Sequence, residues 1–237
     1  MVDRRPLIDG IEFLLRENLD YAINLLQIQK LKENDARVTL FKHINVVLDS
    51  AATSLILAHE YLGNMSWWEK IHDDYSRSSR PYDYKRQFDY LDQTVMNGFF
   101  LFIFNSFEHS VRLLCKQYNS QLYEKQKRSI NSICIGIIKD LGLTKRNNFI
   151  DLITWLRNSY HNNGIFVPAG GLRSKSIVWN NTTYSFKENQ PIKESKGDMW
   201  LSFVPISREI INFFKEIIDH NSIKNFGYYV DPAEPIR

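Results

Sequence analysis

The sequence predicts an all-α fold, a helical bundle of five to seven helices with one small late β-hairpin. Three observations carry that expectation. Apolar residues recur at intervals of three and four through most of the first 160 positions, the period of helices that bury one face. The runs end at helix-stopping residues: Gly63-Asn64, Gly142 and Asn162-Asn163-Gly164. The stretch SIVW-NN-TTYSF (176–186) instead sets β-branched and aromatic residues on both sides of Asn180-Asn181, the pair suited to a two-residue hairpin turn.

In chain order, Ile8, Ile11, Leu15, Leu19, Ala22 and Leu26 define a first helix from Leu7 to about Lys30. A second, from about Glu33 to Leu62, carries Val38, Phe41, Ile44, Val47, Leu48, Ala51, Leu55 and Leu57, and pairs with the first as an antiparallel hairpin. The segment NMSWWEKIHDDYSRSSRPYDYKR breaks the period with Ser, Asp and Pro81, so it reads as a loop with a short helical piece. Further helices follow from about Gln87 to Tyr118, the most apolar of all, from about Gln121 to Asp140, and from about Lys145 to the Asn-Asn-Gly stop. After the hairpin, KENQPIKESKGD is a loop and VPISREIINFFKEIIDH (204–220) a last amphipathic helix. Neither repeats nor low-complexity linkers divide the chain, so residues 1–237 form a single helical domain with a hairpin elaboration at about 174–190.

Composition is that of an ordinary soluble globular protein: 237 residues, 43% hydrophobic and 24% charged. The net charge of +3, from 30 basic and 27 acidic side chains, permits a nucleic-acid partner without requiring one. Cys115 and Cys134 are too few for a disulfide framework or a four-thiolate zinc site, and read as free buried thiols. MVDRRPLIDG lacks a signal-type apolar core, and the longest apolar run, FFLFIF (99–104), is far short of the ~20 residues that span a bilayer. The expectation is a cytoplasmic protein without membrane partner, metal or cofactor.

Phosphate-loop, dinucleotide, nucleophile-elbow and His-Glu-x-x-His signatures are lacking. His59-Glu60 and His72-Asp73-Asp74 contain metal-ligand types without a ligand spacing, and read as solvated polar positions. Between Tyr75 and Arg86, the basic residues Arg77, Arg80, Lys85 and Arg86 alternate with Tyr75, Tyr82 and Tyr84. Cations for phosphates and rings for stacked bases suit a single-stranded nucleic acid. The plainer reading is a solvated loop.

The stretch RNSYHNNG (157–164) is the chain's densest polar motif. Phe149, Leu152, Ile153, Leu156 and Tyr160 make the apolar stripe of its helix, and Arg157 and His161 fall on the flank of that stripe beside Thr154 and Asn158. Four residues apart, they stack one turn from each other and can reach one phosphate. The plain reading is a helix stop with cations near the negative end of the helix dipole. A cap, however, needs only one or two of the five polar residues present.

At this point the chain resembles the HEPN superfamily of all-α proteins, which includes bacterial toxins, antiphage effectors and CRISPR-associated ribonucleases. The signature there is an Arg, usually followed by Asn, His or Asp, and then a His, with four to six residues between the Arg and the His. Arg157-Asn158 matches its start and His161 its end, with three residues between. In NSFEHSVRLLCK (105–116), Glu108 and Arg112 lie on the flank of an apolar helix, where the resemblance implies a further polar residue beside the Arg-His pair. A simple i, i+4 ion pair accounts for the same two residues.

The resemblance implies metal-independent RNA cleavage, with the 2′-hydroxyl as nucleophile and a cyclic phosphate product, in a toxin or antiphage defence context. His161 would move protons, Arg157 would hold the phosphate, Asn158 would add a donor, and Glu108 would orient Arg157 or His161. Arg112 and Asn162 join Arg77, Arg80, Tyr82, Lys85 and Arg86 as candidate nucleic-acid contacts. It also implies a homodimer through the motif helix. The competing class is a non-catalytic HEPN-like module that binds RNA, a nucleotide or a regulatory protein partner, and the short Arg-His spacing favours it.

Overall fold

In the computed structural model, which describes residues 4–62, 64, 66–70, 83–127, 129–168 and 173–232, Pro6 opens helix α1 (Arg5–Gln27) in its first turn, where its missing N–H costs nothing. Ile8, Ile11 and Ala22 are buried as the periodicity requires, but Leu14, Asn18 and Leu25 take the inward positions expected of Leu15, Leu19 and Leu26. Asn18 accounts for the difference: its amide nitrogen donates to the Phe41 carbonyl at 3.1 Å and to Asn45 Oδ1 at 2.6 Å, so the donor half of a polar side chain is satisfied in the α1–α2 seam.

Helix α2 (Ala36–Leu57) is capped by Asp35, whose carboxylate accepts from the Arg37 N–H at 2.9 Å. It packs on α1 as the expected hairpin and ends in a π-helical turn, Ala58–Leu62. By length and composition it is the one described helix apolar enough to cross a membrane. In this fold Phe41, Ile44, Leu48 and Ala51 are fully buried, as a central core helix demands. A short helical piece at 66–70 follows, its first N–H accepted by the Asn64 side chain at 3.0 Å.

Helix α3 (Asp83–Tyr118) begins four residues before the expected start, so Lys85 and Arg86 are helical rather than part of a loop. The acidic Asp83 is suited to the positive end of a helix. The single helix expected over 121–140 is two: α4 (Ser120–Gln126), capped by Asn119, and α5 (Ile130–Leu141), capped by Ser129 and closed by Gly142 at φ +66°. Ser129 is extended, and its hydroxyl accepts the third N–H of the new helix, a local bond that competes with continuing the old one. Helix α6 (Asn147–Tyr160) carries the polar motif, with its stripe of Phe149, Leu152, Ile153, Leu156 and Tyr160 buried as expected.

Strands β1 (Ser174–Trp179) and β2 (Thr182–Lys187) pair antiparallel, with Trp179 opposite Thr182 and both Asn180 and Asn181 at positive φ. The segment expected as a loop adds a third strand, β3 (Lys193–Glu194), paired to β2 through Tyr184 and Glu194. The turn before it uses Asn189 at φ +57°, and Pro191 bridges to Ile165. This sheet covers α6: Trp155 stacks on Phe166 and meets Phe186 edge-on, and Phe149 meets Trp179.

Helix α7 (Trp200–Asp219) starts earlier than expected and contains Pro205. Its Phe203, Phe213 and Phe214 are fully buried and contact Phe100, Phe107 and Phe41, which ties the core together. A one-turn helix α8 (Asn221–Lys224) leads to a tail that closes on the start of α2. There Arg37, 3% exposed, makes a two-point pair with Asp35 and donates to the carbonyls of Ile223, Lys224, Phe226 and Gly227.

Candidate functional site

The end of α6 is built from two overlapping layers of residues. One layer is the helix stop. The Gly164 N–H donates to the Ser159 carbonyl and the Asn163 N–H to the Tyr160 carbonyl, with Asn163 at φ +55° and Gly164 at φ +78°, the bond pair of a Schellman cap. The Asn162 side chain donates to the Asn158 carbonyl at 2.8 Å, so it too serves the helix end. Gly164 is buried, and its carbonyl accepts from Ile192, which joins the stop to the loop ahead of β3.

The other layer is what the cap does not use. Arg157 crosses from α6 to α3, where its Nη2 lies 3.4 Å from Glu108 Oε2. Glu108 also accepts from Arg112 on its own helix, at 2.8 Å to Nε and 2.7 Å to Nη2. One half-buried carboxylate, 15% exposed, therefore holds two guanidinium groups from two helices. The local balance is one surplus positive charge, which favours an anion such as phosphate. Arg112 is further fixed through the Lys127 carbonyl at 2.6 Å, and Arg157 Nη1 donates to Asn158 Oδ1 at 3.1 Å.

Satisfaction of these groups is incomplete. Arg157 Nε and Glu108 Oε2 are buried without a hydrogen-bond partner among the described residues, and the 3.4 Å approach of Arg157 Nη2 to Glu108 is an ion pair rather than a hydrogen bond. The His161 imidazole is exposed at the C-terminal turn and makes no hydrogen bond among the described residues, while its N–H continues the helix to Arg157. Arg157, Asn158, Glu108 and Arg112 are thus brought together, and His161 stands one turn beyond Arg157 on the solvent side.

Beneath them the site rests on a dry floor. Tyr160 stacks on Phe100 with centroids 5.3 Å apart, and burial, reinforced by Tyr184 and Glu194, pushes its phenol well above the usual range. Its hydroxyl, like Glu194 Oε2, is buried without a partner. Tyr160 therefore serves as a wall rather than as a proton carrier at neutral pH. Cys134, buried beneath Glu108 and Arg112 in charge range, is likewise held protonated by desolvation.

Arg77, Arg80 and Tyr82 lie outside the described residues, as do His72, Asp73 and Asp74. Lys85 lies in the first turn of α3, and Arg86 stacks on Tyr90 at 5.3 Å and donates to its hydroxyl, far along α3 from Glu108. Among the described residues no cluster of three or more His, Cys, Asp and Glu is placed to hold a metal ion.

Two polar constellations escaped the sequence reading. Arg4, Asp92, Asp198 and Trp200 meet at the far end of α3, and His109 pairs with Asp231 of the tail at 3.1 Å. Arg4 and Asp198 alone are separated by 194 positions, so no spacing could announce such groups. No family model, curated protein or solved structure matches the chain.

Proposed function

We propose that the chain is a HEPN-like endoribonuclease that needs no metal ion, with Arg157 and His161 as its catalytic residues. The observation that supports this reading is the Glu108 carboxylate holding Arg112 and Arg157 together beside an exposed imidazole that makes no hydrogen bond among the described residues. Arg157 receives the scissile phosphate and offsets the charge that builds on its oxygens in the transition state. His161 takes the proton from the 2′-hydroxyl as that oxygen attacks phosphorus, and the 5′-oxygen leaves with a proton. The products are a 2′,3′-cyclic phosphate end and a 5′-hydroxyl end.

One imidazole per chain supplies one proton carrier. A two-fold homodimer that brings a second copy of α6 to the same phosphate supplies the other, one His161 acting as base and the other as acid. Glu108 is a positioning residue, since it touches Arg157 and Arg112 rather than the substrate. The cellular setting proposed is a toxin or antiphage defence protein of the cytoplasm.

A second reading, a non-catalytic module that binds RNA, a nucleotide or a protein, has a specific observation in its favour. Only three residues separate Arg157 from His161, and Asn162, Asn163 and Gly164 are used by the helix stop. The deciding experiment incubates the purified protein with mixed RNA and a chelator, beside His161→Ala and Arg157→Ala variants of unchanged circular dichroism. Cleavage to cyclic-phosphate ends by the parent alone is expected. RNA binding with a steep salt dependence but no cleavage, by a protein confirmed as a dimer, would select the binding module.

A further inference from the structure

Towards the N-terminal end of α3, a cavity of about 500 Å³ opens between α3, the C-terminal end of α2 and the start of α7. Its size is that of a small-molecule site. Leu55, Leu57, Leu91 and Val95 form its walls, and the π-helical turn that ends α2 contributes Ala58 and Tyr61. Such turns interrupt the regular ladder and recur where a helix shapes a site. Trp67 and Trp200 complete an aromatic lining with Tyr61.

Asp92 is the one charged residue of this lining among the described residues. Its Oδ1 accepts from the Trp200 indole at 3.0 Å and its Oδ2 lies 3.3 Å from Arg4. Each carboxylate oxygen can accept a second donor, so both retain capacity towards the cavity. Among the described residues the charge balance around it is negative: Arg4 is the cation that acts on Asp92 and is shared with Asp198, whereas Asp198 and Asp89 both add negative potential. Burial accordingly raises the Asp92 carboxyl above its ordinary range, the response of an acid whose neutralisation is incomplete.

We propose that this cavity binds a small organic cation, an amine with an apolar aromatic or alkyl body. The ammonium donates to Asp92 and faces the rings of Tyr61 and Trp67, which attract cations through their quadrupoles. The apolar body lies against Leu55, Leu57, Leu91 and Val95, with the exposed apolar surface of Leu57 and Leu91 as the driving force. A neutral molecule of equal shape gains only the second contribution. An anion is repelled.

The test is isothermal titration calorimetry of the full chain with 4-phenylbutylamine, 4-phenylbutan-1-ol and 4-phenylbutyrate, which share one body and differ in charge. The amine is expected to bind at least ~10-fold more tightly than the alcohol, the ratio of one well-placed ionic contact in a partly exposed site. The carboxylate is expected not to bind. Asp92→Asn keeps an acceptor for Trp200 and should abolish the difference between amine and alcohol. Ala58→Trp, which fills the cavity from the π-helical turn, should abolish binding of both while leaving the circular dichroism unchanged. Equal affinity for amine and alcohol in the parent, or amine binding unaffected by both substitutions, overturns the proposal, as does the absence of heat with the amine up to about 5 mM.

Discussion

His109 Nε2 lies 3.1 Å from Asp231 Oδ1, which joins the long central helix to the tail of the chain one position after Glu108. Asp231 is fully buried and also accepts from the Thr39 hydroxyl at 2.9 Å, and its N–H donates to the Asn34 carbonyl. Gln117 and Val230 exchange two further hydrogen bonds beside it. The tail is therefore fastened to α2 and α3 by side chains, with no regular ladder beyond the single bridge from Asp35 to Val230.

Replacing Asp231 with Ala leaves the Thr39 hydroxyl only a long 3.5 Å contact to the Ala36 carbonyl and removes the partner of His109. A loss of about 1–3 kcal/mol follows for a buried polar group left unpaired. Urea unfolding monitored by circular dichroism gives that number, and a midpoint equal to the parent's would show that the tail contributes nothing to stability. His109→Ala should cost less, since its side chain is 39% exposed.

The Asp35–Arg37 pair predicts a larger effect. Both side chains are buried, with exposures of 1% and 4%, and the guanidinium covers Tyr229 at 4.8 Å while it satisfies carbonyls at the end of α8. Arg37→Ala leaves a buried carboxylate without its counter-charge, which costs about 3–5 kcal/mol. The double variant Asp35→Asn, Arg37→Met, without a net buried charge, should recover a measurable part of it. A double variant less stable than Arg37→Ala would contradict this account.

The helical period was legible because each long helix buries one face, and the β-hairpin because Asn180-Asn181 meets the positive φ of its turn. Asn18 shows where that reading stops: hydrophobic periodicity assigns a buried Asn to the wrong face, since only its bonds to Phe41 and Asn45 on another helix explain it. The Ser129 cap divides a segment that apolar spacing alone leaves continuous. At the motif, sequence spacing placed Arg157 and His161 on the flank of the stripe, and helical spacing on α3 placed Glu108 near Arg112. That Glu108 also reaches Arg157 depends on how α3 packs against α6, which no local pattern encodes. The Arg4–Asp92–Trp200 group is invisible for the same reason.

Burial of ionisable groups sets the alkaline limit of stability. Desolvation pushes the Cys115 thiol up to about 11, and raises Tyr160, Tyr184 and Tyr229 as well. These groups carry a higher pKa folded than unfolded, so their contribution is complete below the unfolded values, near pH 9 for the thiol and pH 10 for the phenols, and is lost as pH rises through the folded values. The urea midpoint should fall steadily between about pH 9 and pH 11. A flat profile would contradict the burial of these groups. At pH 8 only about one Cys115 in a thousand is thiolate, so neither cysteine should react with an aromatic disulfide until urea unfolds the chain.

The two layers of RNSYHNNG can be separated by substitution. Gly164 has φ +78°, and a Cβ built there meets nothing closer than Asn97 Nδ2 at 3.7 Å, so Gly164→Ala suffers from backbone conformation rather than from crowding. A loss of about 1–2 kcal/mol is expected, with RNA cleavage kept well below the melting temperature. Asn163→Gly, at φ +55°, should be neutral or slightly stabilising because glycine adopts that conformation without strain. His161→Ala is the reverse case. Its side chain is exposed and serves no cap, so stability should stay within about 0.5 kcal/mol of the parent while cleavage is lost. If His161→Ala instead destabilised the chain as much as Gly164→Ala and left cleavage intact, the whole octapeptide would be a helix stop and the chemistry would have to lie elsewhere.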